Sequence, residues 1–164
     1  MACSTSTGTY DDLRLLSAFA KTHDLWFHVD AAHGGVACFS ESEKHKLVGI
    51  ELADTITLDA HKMMRVPALT TLLLYREEVA SYRTFSQKAD YLWEAAGPEW
   101  YHSGQRTVEC TKLMMGLRVL AVSMGNGTDD LRKYVESRFK LARAFAKTLN
   151  DRPNWQIATK PMSN

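Results

Sequence analysis

The chain has 164 residues, 45% hydrophobic and 24% charged, and a net charge of +1. That balance describes about one ordinary globular domain and shows no basic stripe that would mark nucleic acid as a partner. No apolar run approaches the roughly 20 residues of a membrane span, and the first ten residues are polar, without the cationic and apolar pattern of a secretion signal.

The elements follow in order. Asp11 or Asp12 can cap a helix running to about Thr22, with Leu15, Leu16, Ala18, Phe19 and Ala20 on one face. Residues 25–29 read as a strand, followed by a loop of small residues at 30–35. A short polar helix is expected at 42–47, a strand at 55–58 and another at 69–75, with the loop 59–67 between these two strands. Strand, short helix, strand is a pattern that gives a parallel sheet, and ligands of such sheets sit at the carboxyl ends of the strands. Beyond Arg76 the chain turns helical and irregular. Residues 107–124 carry apolar side chains at helical spacing, and Gly125-Asn126-Gly127 breaks the pattern. Thr128, Asp129 and Asp130 cap a last helix to about Leu149, with a stripe of Leu131, Val135, Ala142, Phe145 and Leu149. Pro153 ends it, and residues 155–158 are expected to start a strand.

Cys3, Cys38 and Cys110 are scattered and odd in number, which suits reduced thiols in a cytoplasmic protein. His28 and His33 flank Asp30, but zinc sites bring matched ligand pairs, so no metal is expected. His28 is expected to pack in the sheet or to support Asp30. His102 and Arg106 precede the helical stretch; Arg106 can grip a carboxylate with both arms of its guanidinium or sit in a salt bridge. Met63-Met64 and Met114-Met115 read as core filler.

Two loops carry the chemistry. Asp30 ends one apolar run, in His28-Val29-Asp30-Ala31-Ala32-His33-Gly34-Gly35, and Lys62 follows another, in Leu58-Asp59-Ala60-His61-Lys62. A lysine and a carboxylate on neighbouring strand ends suit pyridoxal 5'-phosphate: the amine forms a Schiff base with the aldehyde, and the carboxylate keeps the ring nitrogen protonated. The bland alternatives are a solvated lysine and an aspartate capping a turn.

With His28-Val29-Asp30-Ala31-Ala32 and Ala60-His61-Lys62 at this separation, the chain resembles the group II pyridoxal-phosphate-dependent amino acid decarboxylases, which act on glutamate, cysteine sulfinate, diaminobutyrate and aromatic amino acids. The resemblance implies an α/β fold, the aminotransferase-like large domain with a mostly parallel sheet. It implies catalytic roles for Lys62 and His61 and a cofactor site of Lys62, Asp30, Ala32, His61 and Thr5, with Ala32 against a ring face. Ser4 shares the Thr/Ser-rich stretch with Thr5. It further implies an amino acid substrate and a homodimer. Residues 1–125 would form part of the large domain, and 126–164 a linking helix and the start of a small one. Both chain ends read as those of a fragment, inactive alone. The alternatives are another pyridoxal-phosphate-dependent lyase or aminotransferase, or an inactive fragment of one.

Overall fold

The structure is a computed structural model and describes residues 1–85, 101, 103–109 and 111–163. His102 and Cys110 therefore lie outside the described residues.

Helix α1 (Leu13–Thr22) starts where Asp12 caps it: the carboxylate accepts the Leu15 N–H at 3.0 Å. It ends at His23, and Asp24 follows in the left-handed region at φ 52°. The Leu25 N–H bonds back to the Ala20 carbonyl at 2.9 Å. This exit delays strand β1 to His28–Asp30, later than the expected 25–29, and makes Asp30 its last residue. Short 3₁₀ turns at Gly34–Phe39, Lys44–Leu47 and Ile50–Leu52 carry the chain to β2 (Thr55–Asp59). Strand β3 (Thr71–Tyr75) and helix α2 (Glu78–Thr84) follow.

The sheet order is β1-β2-β3. Strands β1 and β2 are parallel, with His28 opposite Thr55 and Asp30 opposite Thr57. Strand β3 runs antiparallel to β2, with Asp59 opposite Thr71. The sheet is mixed, and only the first pairing fits the expectation of a mostly parallel one. The reason is the connection: residues 60–70 form turns and no helix, whereas a parallel return needs a crossover of about a dozen residues or more, usually helical.

Helix α3 (Met115–Asn150) is interrupted at Gly127, whose φ of 74° and ψ of 165° are not helical. Glycine reaches that conformation without the Cβ clash other residues meet, and the expected break falls here. The helix begins later than residue 107. Before it, the Thr107 hydroxyl donates to the Glu109 carbonyl at 3.0 Å, a local bond that competes with helix formation.

The core gathers Leu13, Val29, Val36, Leu47, Met63, Met64, Val135 and Phe139. Burying Phe139 and Val135 contributes about 2 kcal/mol each and ties the second half of α3 to the Gly34–Phe39 turn. Around the start of α3, Leu113, Met114, Leu117, Leu120 and Met124 are exposed while Val119 and Val122 pack against the core, and Met114, at 73%, is not core filler. Leu15, Leu16 and Phe19 of α1 are also exposed. Residues 155–158 form no strand; they run irregularly after the helix. No helix among the described residues is long and apolar enough to cross a membrane.

Candidate active site

The two loops meet because the parallel pairing continues past the strand ends. The Ala31 N–H donates to the Thr57 carbonyl at 3.0 Å, and the Asp59 N–H donates to the Ala32 carbonyl at 3.1 Å. Asp30 and the turn bearing Lys62 thus share one edge of the sheet.

Around Lys62 the contacts are local. Its ammonium pairs with Asp59 Oδ2 at 2.9 Å, while the side chain stays 41% exposed. The Thr71 hydroxyl donates to Asp59 Oδ1 at 2.6 Å. Burial works against the charged form of Asp59, but bonds from Thr71 and Lys62, with the Lys62 and His61 charges, outweigh it and hold the carboxyl below its ordinary range. His61 is pinned by one neighbour: its Nδ1 lies 2.9 Å from the Thr70 carbonyl oxygen and 3.1 Å from the Thr70 nitrogen. Its Nε2 points toward Asp59 Oδ2 at 3.9 Å.

Asp30 Oδ1 accepts the Ala32 N–H at 3.0 Å. Among the described residues no cation pairs with it. The Asp30 carbonyl accepts the Ala2 N–H at 2.7 Å, which lays the N-terminal segment along this edge. That segment folds back on itself through Ala2 opposite Tyr10 and a 2.8 Å bond from the Ser4 N–H to the Thr9 carbonyl. Close approach explains Gly34: a Cβ there would lie 2.5 Å from the Ala2 carbonyl oxygen. The Tyr10 hydroxyl donates to the Gly34 carbonyl at 3.2 Å, and burial first, then the nearby Cys3, pushes that hydroxyl's pKa well up. Ser4 and Thr5 do not bond the Asp30 carboxylate; the Ser4 hydroxyl meets Ser6 at 3.4 Å.

A cleft of about 850 Å³ opens here. Its floor is Lys62, His33 and residues 3–8, including Thr5. One wall is the second half of α3, with Arg138, Leu141, Ala142, Phe145 and Leu149, and residues 157–163 close it. Lys62 and Thr5 therefore share the cleft. Asp30, Ala32 and His61, also expected at the cofactor, are not among the residues that line it. His28 bonds Thr55 (Nδ1, 2.9 Å) and Thr57 (Nε2, 3.4 Å) on the neighbouring strand, but the residue is exposed, so it is not packed within the sheet as expected. Arg106 is elsewhere, 5.2 Å over the Tyr82 ring. Sequence reasoning passed over two residues. Asp59 was detectable as a carboxylate three residues before Lys62 at a strand end. Arg138 had no local signal.

The α3 wall is held by charges on side chains. Glu43, buried, pairs with Lys46 at 2.7 Å and Arg143 at 2.8 Å. Burial opposes its charged form, yet the bonds and charges of Lys46 and Arg143 keep its pKa below the ordinary value. Lys46 also donates to the Met162 carbonyl and lies 4.4 Å over the Phe139 ring.

A family profile described as the pyridoxal-dependent decarboxylase conserved domain matches residues 1–164, and the chain belongs to that family. The L-aspartate decarboxylase of Metarhizium robertsii is 28% identical over 159 residues, which cover 96% of this chain and 32% of that protein. Tryptophan decarboxylase 2 of Oryza sativa is 29% identical over 164 residues, covering 95% and 32%. The crystal structure of mouse CSAD superposes with a TM-score of 0.86 at 24% identity, covering 99% of this chain and 34% of that one. The fold is thus part of the α/β fold of these decarboxylases. The chain spans about a third of the length of the curated relatives it matches.

The residues fit the family's cofactor. The cleft offers a primary amine able to react with an aldehyde, hydroxyls from residues 4–7, and no Asp or Glu in its described lining to repel a phosphate.

Proposed function

We propose that the whole protein is a pyridoxal-phosphate-dependent amino acid decarboxylase in which Lys62 holds the cofactor. The observation that carries this reading is the placement of Lys62 and Asp30 on adjacent carboxyl ends of two parallel strands, joined by backbone hydrogen bonds. Bound pyridoxal phosphate supplies an electron sink for the pair left behind when CO2 departs.

The chain's own residues do the rest. Lys62 attaches the cofactor through its amine and, once displaced by the substrate amine, can return a proton to the substrate carbon. Leaving Asp59 frees it for this. Asp30 holds the ring nitrogen in its protonated form. Ala32, small and bonded to Asp30 through its N–H, allows a flat ring to approach. His61, fixed by Thr70, orients the cofactor or the substrate carboxylate. Thr5 adds a hydroxyl from the floor. Residues 1–125 belong to the large domain, and 126–164 lead toward a small one past the joint at Gly127. A homodimer and a cytoplasmic location complete the reading. The 164 residues alone are inactive in this view, because the relatives are about three times as long.

The test is on full-length protein incubated with pyridoxal phosphate: absorbance of the Schiff-base band, then borohydride reduction and peptide mass mapping. A phosphopyridoxyl group on Lys62, absent from Lys62→Ala, is the expected result. A group on another lysine, or none, would refute the role of Lys62. The relatives are named for acting on acidic and on aromatic amino acids.

A further inference from the structure

Helix α3 projects four arginines, and three have carboxylate or carbonyl acceptors. Arg118 donates to the Ala68 carbonyl at 3.0 Å. Arg132 pairs with Asp129 and Glu136, both at 3.4 Å. Arg143 pairs with Glu43. Arg138 differs. Among the described residues it has no carboxylate or carbonyl partner; its Nε donates to the Ser137 hydroxyl at 3.2 Å, and its guanidinium lies 5.3 Å from the Tyr134 ring centroid. It is half-buried, and it lines the cleft that Lys62 lines.

Its position follows from helix geometry. Arg138, Leu141, Ala142, Phe145 and Leu149 recur at helical spacing, so one face of α3 presents them together to the cleft. The guanidinium is always charged, and its planar fork matches an oxyanion with two parallel bonds. The Ser137 hydroxyl takes the Nε–H, and the Tyr134 ring, which Arg65 approaches more closely at 4.6 Å, lies to one side, so the terminal N–H groups are left over. Lys62 and Arg138 are the Lys and Arg residues of the described lining, which contains no Asp or Glu to balance them. Such a cleft concentrates anions.

We propose that Arg138 binds the side-chain carboxylate of the substrate and so makes the protein selective for acidic amino acids. This rests on the decarboxylase reading above. The shared chemistry is an oxyanion, and the cofactor phosphate is the other source of one. Two features favour the substrate. Phosphates characteristically settle on backbone N–H groups at helix starts and glycine-rich loops, whereas Arg138 lies in the middle of Met115–Asn150. Its neighbours Leu141 and Ala142 are apolar, which suits the methylenes that carry a side-chain carboxylate.

The experiment uses full-length protein and the variants Arg138→Gln and Arg138→Lys, with far-UV circular dichroism to establish folding. Calorimetry with succinate reads dicarboxylate binding directly. Steady-state assays compare aspartate and glutamate with phenylalanine, and a cofactor titration gives the affinity for pyridoxal phosphate. Arg138→Gln is expected to weaken succinate binding and raise KM for the acidic substrates by roughly tenfold to a hundredfold, the size of a lost charge-assisted hydrogen bond. Cofactor affinity stays unchanged, and Arg138→Lys recovers part of the loss. Unchanged succinate binding in folded Arg138→Gln overturns the proposal. So does an equal loss of cofactor affinity, which assigns Arg138 to the phosphate. Succinate binding is measurable with or without cofactor on Lys62, so failure to trap the Lys62 adduct counts against the decarboxylase reading and not against the anion site.

Discussion

Backbone hydrogen bonds build the Lys62 side of the cleft, whereas charged side chains hold the α3 side in place. On the first side, Ala31 to Thr57, Asp59 to Ala32 and Ala2 to Asp30 are all main-chain contacts. On the second, Glu43 and Lys46 reach Arg143 and Met162 across about a hundred residues of chain. The difference teaches where each side can fail. A register-bonded edge is insensitive to most side-chain changes but intolerant of backbone displacement. The wall tolerates little loss of packing and a larger loss of charge.

Truncating the wall's anchor gives the largest expected effect. Phe139, 1% exposed, becomes a cavity in Phe139→Ala, which is expected to cost about 3–5 kcal/mol. Urea unfolding measures this, and at low temperature Lys62 should still react with pyridoxal phosphate. An unchanged midpoint would place α3 outside the core. Displacing backbone on the other side comes next. In Gly34→Ala the new Cβ must push the Ala2 carbonyl from 2.5 Å, an overpacking cost of about 1–3 kcal/mol. Here borohydride trapping on Lys62 should fall along with the melting temperature, since the floor itself moves. Trapping at the normal rate would show that the floor does not depend on Ala2.

How far these two sides were legible in sequence follows the same division. The strand-end placement of Asp30 and Lys62, the Asp12 cap and the Gly127 break were readable because their signals lie within a few residues. The direction of β3 was not, because a strand's pattern does not state its partner; only the short, helix-free connection at 60–70 decides it. Exposure of Met114 was equally hidden, since a periodic apolar face looks the same covered or bare. Arg138 was one basic residue among many on a helix, and its tie to the cleft comes only from the packing of Val135 and Phe139.

The smallest effect is in pH. Glu43 has a lowered carboxyl pKa in the fold, so its stabilisation is complete above the unfolded value of about 4.3 and is lost as pH falls through the lower folded value. Arg143 is half exposed, which screens the pair and limits the effect to about 1 kcal/mol. Melting temperatures from pH 7 to 3 should drop more gently for Glu43→Gln than for the unaltered protein. Parallel curves would mean that packing alone holds the wall.

The two main-chain bonds that stitch the loops beyond β1 and β2 set a rule for changes in chain length. The distance between Asp30 and the Lys62 turn is a property of the strand register and not of the residues between them. An insertion at the exposed Glu41 or Ser42 lengthens the connection and leaves that distance alone. Deleting one residue from Thr55–Asp59 shifts every following side chain to the opposite face of the sheet. The exposed turn at Glu41 and Ser42 is therefore free to vary in length, while the five residues before Ala60 are not.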